Sequence, residues 1–245
     1  MFIGFGTLVN VLTVVAGASL GLLVGNRLPT RTRSLVTDCL GLVTIVIGIF
    51  ACLSMNSDAV VAALGKGVGL LVVLGALLPG ALLGSWLRLT EQLERGAEHL
   101  RGRFGKQGSQ HFVEGLITPV LVFCVGPLTI MGSISDGLGL GSQQLLVKSV
   151  LDGFASIAFA ASLGVGVLFS AAAVGIIQGG LTLAAFLLGG FLTPLQVDLL
   201  EATGGVILIG LGLRLLEIRD IRVADMLPAL AIAPVLAWGV SAVLA

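Results

Sequence analysis

Charge is scarce in this sequence. Only 11% of its 245 residues are Asp, Glu, Lys or Arg, against roughly 25% in an ordinary soluble domain. Hydrophobic residues make up 56% of the chain and its mean hydropathy is +1.12. These values exclude an ordinary water-soluble domain and predict an integral membrane protein. The formal net charge is zero, which argues against a nucleic-acid partner.

Cysteine, histidine and catalytic motifs are equally sparse. Cys39, Cys52 and Cys124 lie inside apolar runs without CxxC or histidine spacing, so we expect neither a disulfide framework nor a cysteine metal site. His99 and His111 both lie in one polar loop, and no HExxH, GxSxG or Walker pattern occurs. We therefore expect no enzyme activity and no cofactor other than a bound cation.

Long apolar runs dominate what is present. A membrane span needs about 20 mostly apolar residues, and on that rule we count eight spans: 2–24, 35–53, 68–87, 112–131, 149–169, 172–191, 204–216 and 226–244. The seventh is short, and we expect it to begin nearer Leu199. The fifth and sixth are joined by the uncharged stretch 170–173. The first has no basic segment before its apolar core, so it is predicted as a transmembrane helix and not as a cleaved signal. The expected fold is an all-α, polytopic transmembrane bundle in one domain, residues 1–245.

The basic residues predict how the chain is oriented. Eleven Lys and Arg residues follow spans one, three and seven, and only Lys66 and Lys148 fall on the opposite side. The positive-inside rule then places both termini outside a bacterial cytoplasmic (inner) membrane. The polar stretch 88–111 reads as a cytoplasmic amphipathic connector, since apolar residues recur along it at spacings of three and four.

A weak internal repeat is visible. The segment 87–91 (LRLTE) ends the third span and 213–217 (LRLLE) ends the seventh. Spans four apart run in the same direction, which predicts a parallel duplication of four plus four helices with halves 1–111 and 112–245. The alternative is a chance match in a chain rich in Leu and Gly.

Asp152 is the first candidate site residue because it lies inside an apolar run. On a helix, Ser149, Asp152 and Ser156 share one stripe, which can ligate a cation or relay a proton. The alternative is that Lys148 and Asp152 neutralise each other near the membrane interface. A helix that starts at Lys148 places Asp152 about 6 Å further in, and we favour the functional interpretation.

Asp136 is the second candidate. Gly126 and Pro127 predict a break in the fourth span, giving a broken or re-entrant segment near 126–148. Freed backbone groups, with Ser133, Ser135 and Asp136, can then coordinate an ion as discontinuous transporter helices do. The alternative is an ordinary external loop in which Asp-Gly forms a turn. Asp136 and Asp152 are together the candidate metal ligands.

Amides and glycines in the spans favour helix packing. Asn10 and Gln178 are included among pathway residues, although such amides more often bond across helices than bind substrate. Gly17, Gly21 and Gly25 stand four apart and allow close helix contact. Because the chain holds 36 glycines, Gly-rich surfaces also make a homodimer an expectation.

The chain resembles a bacterial membrane-protein family known as domain of unknown function 554. The resemblance covers nearly the whole sequence and rests on Asn10 with the glycine series followed by Leu28-Pro29, on CVGPLTIMGSISDG (124–137), on KSVLDGFASIAFAASLGVGV (148–167) and on IRVADMLPAL (221–230). The family name implies no activity. The segment 152–157 is also similar to the Asp-Ala-Phe-Ala segment of manganese-exporter-like proteins in the lysine-exporter superfamily, which implies a metal-facing carboxylate at Asp152. Here Gly153 replaces the Ala, and eight spans exceed the usual six.

The leading hypothesis is a transporter or channel for a small ion or solute, cation or proton-coupled, with the two aspartates in the outer half of the bundle. The alternative is a non-transporting oligomeric scaffold or partner protein that uses its Gly-rich faces. A polar interior around Asp152 favours the first of these, whereas a dry one favours the second.

Overall fold

The described part of the chain is entirely helical. The computed structural model describes residues 2–25, 29–92, 95, 109–124, 127–188 and 192–244, and every regular element among them is a helix. The predicted all-α class is confirmed. The α-helices are α1 (Phe5–Gly25), α2 (Thr30–Leu53), α3 (Asp58–Leu64), α4 (Val68–Trp86), α5 (Ser109–Cys124), α6 (Pro127–Gly137), α7 (Gln143–Leu163), α8 (Gly166–Leu188), α9 (Pro194–Leu215) and α10 (Pro228–Leu244).

Two short 3₁₀ helices, Ser54–Asn56 and Val223–Met226, precede α3 and α10. The short α3 was not among the predicted elements; Ser57 starts it by accepting a hydrogen bond from the Val60 amide. Residues 89–92 are also helical. Most of the connector predicted for 88–111 lies outside the described residues.

The number of spans agrees with the prediction. Within the described ranges, seven helices are long and apolar enough to cross a membrane, and a bent pair makes an eighth if it counts as one span. That pair is α5 and α6, whose axes differ by 64°. The predicted broken span is thus confirmed. Pro127 is the first residue of α6, and Gly126 lies outside the described residues.

The boundaries of α7 and α8 differ from those expected. The turn between them lies at Gly164, not at residues 170–173, and α7 begins at Gln143 instead of Ser149. Gly164 has φ of +84°, which glycine adopts without the steric penalty of a Cβ atom. The three alanines of the predicted turn are strong helix formers and continue α8.

The chain forms two compact units, each discontinuous in sequence. The first comprises Met1–Leu40 and Glu94–Phe191, and the second Gly41–Leu93 and Leu192–Ala245. In the first unit α1 lies directly against α7. A Cβ atom added to Gly17 would overlap the carbonyl oxygen of Gly153, and one added to Gly21 would overlap that of Ile157. The glycine spacing predicted to bring helices together does so here.

The second unit is held by a similar close contact and by a small apolar core. Backbones approach where Gly48 of α2 meets Gly205 of α9. Val60, Val73 and Leu199 are buried together in the core. The segment after α4 is anchored in this unit by Asp225, which accepts hydrogen bonds from the amide and the hydroxyl of Thr90, both at 2.9 Å.

The two helices whose ends match in the proposed repeat, α4 and α9, are each followed by a residue with positive φ. These two residues are not the ones that the repeat aligns with each other. After α4, Arg88 has φ of +52°, and after α9, Glu217 has φ of +54°. In the predicted match, however, Arg88 corresponds to Arg214 and not to Glu217. The duplication with halves 1–111 and 112–245 stays a prediction.

Large apolar side chains cover the outward faces of the helices. Phe50, Leu82, Phe154, Ile176 and Leu187 are all more than half exposed from the protein. A water-soluble protein rarely exposes so many large apolar groups on long helices. These faces contact the lipid bilayer, and the protein is a multi-pass membrane protein.

Candidate functional site

A buried ion pair lies near the middle of α7. Lys148 and Asp152, one helical turn apart, form a salt bridge with only 5% and 9% of their side chains exposed. Asp152 is the tenth of the 21 residues of α7, which places it about 14 Å from the start of the helix. The pairing that we considered as an alternative is therefore present. The pair lies deeper in the helix than we expected, because α7 begins at Gln143 and not at Lys148.

Asn10 of α1 joins this pair to α8. Its amide nitrogen donates to Asp152 Oδ2 at 2.9 Å and to Gln178 Oε1 at 2.8 Å. Only an amide nitrogen can donate to the carboxylate, so the Asp152 contact determines which way Asn10 faces and, in turn, which way Gln178 faces. The predicted role of these amides in bonding across helices is confirmed.

One turn further along the same two helices, Thr7 and Thr182 meet. Their hydroxyl oxygens are 3.5 Å apart, and both side chains are buried. Thr7 precedes Asn10 by three residues on α1, and Thr182 follows Gln178 by four on α8, so the two contacts stack along the antiparallel helix pair.

Asp136 lies at the end of α6, next to this stack. Ser142 donates to Asp136 Oδ1 at 3.0 Å, and both residues are buried. The neighbouring Gly137 packs directly on the backbone carbonyl of Thr182. Beyond it, Leu138 and Leu140 are exposed. We call this whole set the polar column: Thr7, Asn10, Asp136, Ser142, Lys148, Asp152, Gln178 and Thr182.

Several polar atoms of the first unit, three of them in the polar column, are buried without a hydrogen-bond partner in the described part of the chain. They are Asn10 Oδ1, Thr118 Oγ1, Ser133 Oγ, Asp136 Oδ2 and Gln178 Nε2. Leaving a buried donor or acceptor unpaired costs about 1–3 kcal/mol. Such atoms in a native fold point to a bound partner such as water or an ion.

The break between α5 and α6 lies beside the ion pair. Lys148 Nζ is 5.6 Å from the ring centre of Phe123, the penultimate residue of α5. Thr129 of α6 donates to the Phe123 carbonyl at 2.6 Å and so closes part of the helix end. A helix end carries partial charge from its unpaired backbone groups. The broken span therefore brings a polar end to the buried charges.

Two predicted site residues, Ser149 and Ser156, donate to their own helix, and their place in the site stays a prediction. Ser149 donates to the Leu145 carbonyl at 2.6 Å and Ser156 to the Asp152 carbonyl at 2.7 Å. Their hydroxyl protons are thus used by their own helix backbone, as Ser and Thr often do in apolar helices. The predicted stripe with Asp152 exists in register, but neither hydroxyl donates to the carboxylate. Ser135 is half-buried beside Asp136.

The two aspartates contact different partners. Asp136 hydrogen-bonds with Ser142, whereas Asp152 contacts Lys148 and Asn10. No group of three His, Cys, Asp or Glu residues able to hold a metal occurs among the residues described. A metal at Asp136 and Asp152 stays a prediction, and the ammonium of Lys148 beside Asp152 disfavours a multivalent ion there.

Sequence reasoning missed the two threonines and Ser142. The signal was present: Thr7 and Asn10 are three apart, and Gln178 and Thr182 four apart, which places each pair on one helix face. What the spacing of a single helix does not reveal is which faces meet.

The glycine series of α1 is used within the chain. Gly17 and Gly21 contact α7 as described, and a Cβ atom on Gly25 would lie 2.6 Å from the Ala161 carbonyl oxygen. A homodimer stays a prediction, but these three glycines do not support it.

Comparisons with known proteins agree with the resemblance drawn from the sequence. A family model described as "Protein of unknown function (DUF554)" matches residues 5–238. The uncharacterised protein YqgA of Escherichia coli (strain K12) is 31% identical over 232 residues, which cover 93% of this chain and 94% of that protein. The uncharacterised membrane protein YdfK of Bacillus subtilis (strain 168) is 27% identical over 238 residues, covering 97% of each. No solved structure matches the chain.

Proposed function

The chain belongs to the DUF554 family of proteins of unknown function, and we propose that it is a transporter or channel for a small ion or solute whose route passes the polar column. Neither the family nor its two relatives carries an assigned activity, so the proposal rests on the site. It retains the two aspartates, Asn10, Gln178 and Ser133 as route residues.

The observation that carries the proposal is the buried Lys148–Asp152 pair with its two amide neighbours. Ionisable residues within membrane spans are costly and mark ion or substrate pathways. Around this pair, Asn10 Oδ1 and Gln178 Nε2 lie in side chains with no exposed surface and have no hydrogen-bond partner among the described residues. Both atoms are therefore open to water or to a solute.

The position of the broken span gives further support. Discontinuous helices in transporters place their ends at the substrate site, where backbone groups become available as ligands. In this protein the end of α5 lies beside Lys148. Irregular backbone at membrane depth is tolerated where it is covered by protein or lines a wet cavity. The second of these conditions is the one that a route along α6 and α7 would supply.

A flux assay in liposomes tests the proposal. Purified wild-type protein and the variants Asp152→Asn and Asp58→Asn are reconstituted, and fluxes of alkali cations, protons, divalent metals and small anions are measured. Asp58 is exposed at the start of α3 and serves as a matched control. We expect at least one flux that Asp58→Asn keeps and Asp152→Asn reduces at least tenfold. Absence of any wild-type flux, or a flux that Asp152→Asn leaves unchanged, would refute it.

A further inference from the structure

We propose that Asp136 and Ser133 of α6 bind a monovalent alkali cation. This inference rests on the proposed function and names the class of solute that the polar column takes. It is drawn from a buried carboxylate whose charge is not balanced by any described residue.

Asp136 is the one buried charge of the first unit without a counter-ion among the residues described. The others are Lys148 and Asp152, which form an ion pair with each other. Asp136 is 2% exposed, and the described residues give it one hydrogen bond, from Ser142, and no ion pair. Charges buried in a membrane protein are paired with an opposite charge or hold an ion. Two carboxylates against one ammonium leave one negative charge, and it lies on Asp136.

The helix ends beside Asp136 do not balance this charge. Asp136 is in the last turn of α6, whose C-terminal end carries partial negative charge. Ser142 is the N-cap residue of α7, whose N-terminal end carries partial positive charge. The two partial charges are opposite in sign and similar in size, so they largely offset each other. The formal charge of the carboxylate is therefore left for a ligand to balance.

Two oxygen atoms on one face of α6 are available to such a ligand. Asp136 Oδ2 and Ser133 Oγ are both buried without a hydrogen-bond partner in the described structure, and residues three apart lie on the same face of a helix. The equally buried Ser170 differs, since its hydroxyl donates to the Val167 carbonyl of its own helix at 2.6 Å. Because Ser133 makes no such bond, its hydroxyl oxygen can turn toward a cation.

The charge and the few protein ligands favour a monovalent ion. One carboxylate neutralises one positive charge, whereas a divalent ion would leave an excess charge in the buried site. No group of three His, Cys, Asp or Glu residues able to hold a metal occurs in the part of the chain that the structure describes. An anion would add to the charge at Asp136 instead of balancing it. An alkali cation is a hard ion that oxygen atoms bind, and water can complete its coordination shell.

Equilibrium binding of alkali cations tests the inference without requiring transport. Purified wild-type protein in detergent and choline chloride is incubated with radioactive sodium or rubidium, and the bound label is counted by scintillation proximity. We expect saturable binding of at least one label at about one ion per chain, because one carboxylate is unbalanced. An excess of the unlabelled alkali chloride should displace the label, whereas magnesium chloride at the same ionic strength should not.

Two variants with matched controls make the binding test specific. Asp136→Asn removes the charge and should weaken binding by about tenfold or more. Ser133→Ala removes a neutral ligand and should weaken binding roughly threefold. Asp58→Asn neutralises an exposed aspartate, and Ser170→Ala removes a buried hydroxyl that donates to its own helix. Both of these controls should bind like the wild type.

Thermal melting separates an ion site from a structural hydrogen bond at Asp136. Asparagine keeps an oxygen that can accept from Ser142 and removes the charge. In choline chloride, Asp136→Asn should therefore melt at or above the wild-type temperature. A ligand that binds the folded state stabilises it. Sodium or potassium chloride should accordingly raise the melting temperature of the wild type and leave that of Asp136→Asn unchanged.

The inference is overturned if no alkali chloride gives saturable binding or a higher melting temperature than choline chloride, or if both effects persist in Asp136→Asn. Displacement of the label by magnesium as readily as by sodium also overturns it. If Asp136→Asn does not elute as a folded protein, equal affinities of Ser133→Ala and Ser170→Ala would contradict the proposed ligand pair.

The cation site and the transport proposal fail separately. Alkali binding that requires Asp136, without flux in liposomes, upholds the site and refutes transport. A flux that Asp152→Asn reduces, without alkali binding, upholds transport and refutes the cation site.

Discussion

At the scale of single residues, burying the Lys148–Asp152 pair costs desolvation free energy, and removing one of the two charges is more unfavourable still. Lys148 and Asp152 are almost fully covered by protein. Removing one partner from a buried pair leaves an uncompensated charge, whereas replacing both by apolar residues of similar size is often neutral. The stability of the fold and the function of the pair are therefore separable.

Lys148→Met should lower the free energy of unfolding by about 3–5 kcal/mol because Asp152 loses its counter-ion. The double variant Lys148→Met/Asp152→Leu should recover most of that loss and still show no flux. Chemical unfolding in mixed micelles measures the first effect and the liposome assay the second. A single variant as stable as the wild type would contradict the burial of the pair.

Asn10→Leu removes a donor from Asp152 and from Gln178 at once. Hydrogen bonds to charged groups contribute about 1.5–3 kcal/mol, although those between membrane helices average nearer 0.6. We expect a loss of about 1–3 kcal/mol in the same unfolding assay. The matched control is Thr13→Val, since Thr13 donates only to the Asn10 carbonyl of its own helix. Equal effects of the two variants would mean that the cross-helix bonds contribute nothing.

At the scale of elements, close approach of helix backbones governs packing. Gly17 has no room for a Cβ atom because the Gly153 carbonyl occupies that position, whereas a Cβ atom at Gly179 of α8 would meet nothing within 4 Å. The two glycines thus give a matched pair in equally apolar helices.

Gly17→Ala should destabilise the protein by about 1–3 kcal/mol through overpacking. Gly179→Ala should be neutral or stabilise it by up to about 1 kcal/mol, since Ala favours helix. Thermal melting in detergent, followed by size-exclusion chromatography, measures both. The packing of α1 on α7 would be wrong if Gly17→Ala melted at the wild-type temperature.

Elements were predictable where a local physical cause was visible in the sequence. The Gly-Pro step at 126–127 indicated the broken span, and apolar length indicated the other spans. The turn between α7 and α8 was misplaced because Gly164 reads as a packing glycine in a Gly-Val-Gly segment. Only its backbone angle shows that it ends α7.

At the scale of the whole molecule, the orientation in the membrane is predicted from the eleven basic residues that follow spans one, three and seven. We predict both termini outside the cytoplasm. A fluorescent protein that folds only in the cytoplasm should remain dark when fused after Ala245 and become bright when inserted near Lys106. Periplasmic alkaline phosphatase should give the reverse pattern. A fluorescent carboxy-terminal fusion would mean that this terminus is cytoplasmic, which contradicts the predicted orientation.

The candidate site could be predicted only in part. Asp152, Asp136, Asn10 and Gln178 stood out as polar residues in apolar runs, and all four are buried in the first unit. The polar column that joins them could not be read from the sequence. The contacts that α1 makes in it link residues more than 140 positions apart, such as Asn10 with Asp152 and with Gln178.

A route along the polar column requires that water reach it, and cysteine accessibility measures this. In a background with Cys39, Cys52 and Cys124 replaced by alanine, single cysteines are introduced at Ser133, at Gln178 and, as lipid-facing controls, at Phe154 and Ile176. Membranes are treated with a small charged methanethiosulfonate reagent. We expect modification at Ser133 and Gln178 and little at Phe154 and Ile176. If Ser133 and Gln178 both stay as unreactive as the lipid-facing positions, no aqueous route passes along the polar column.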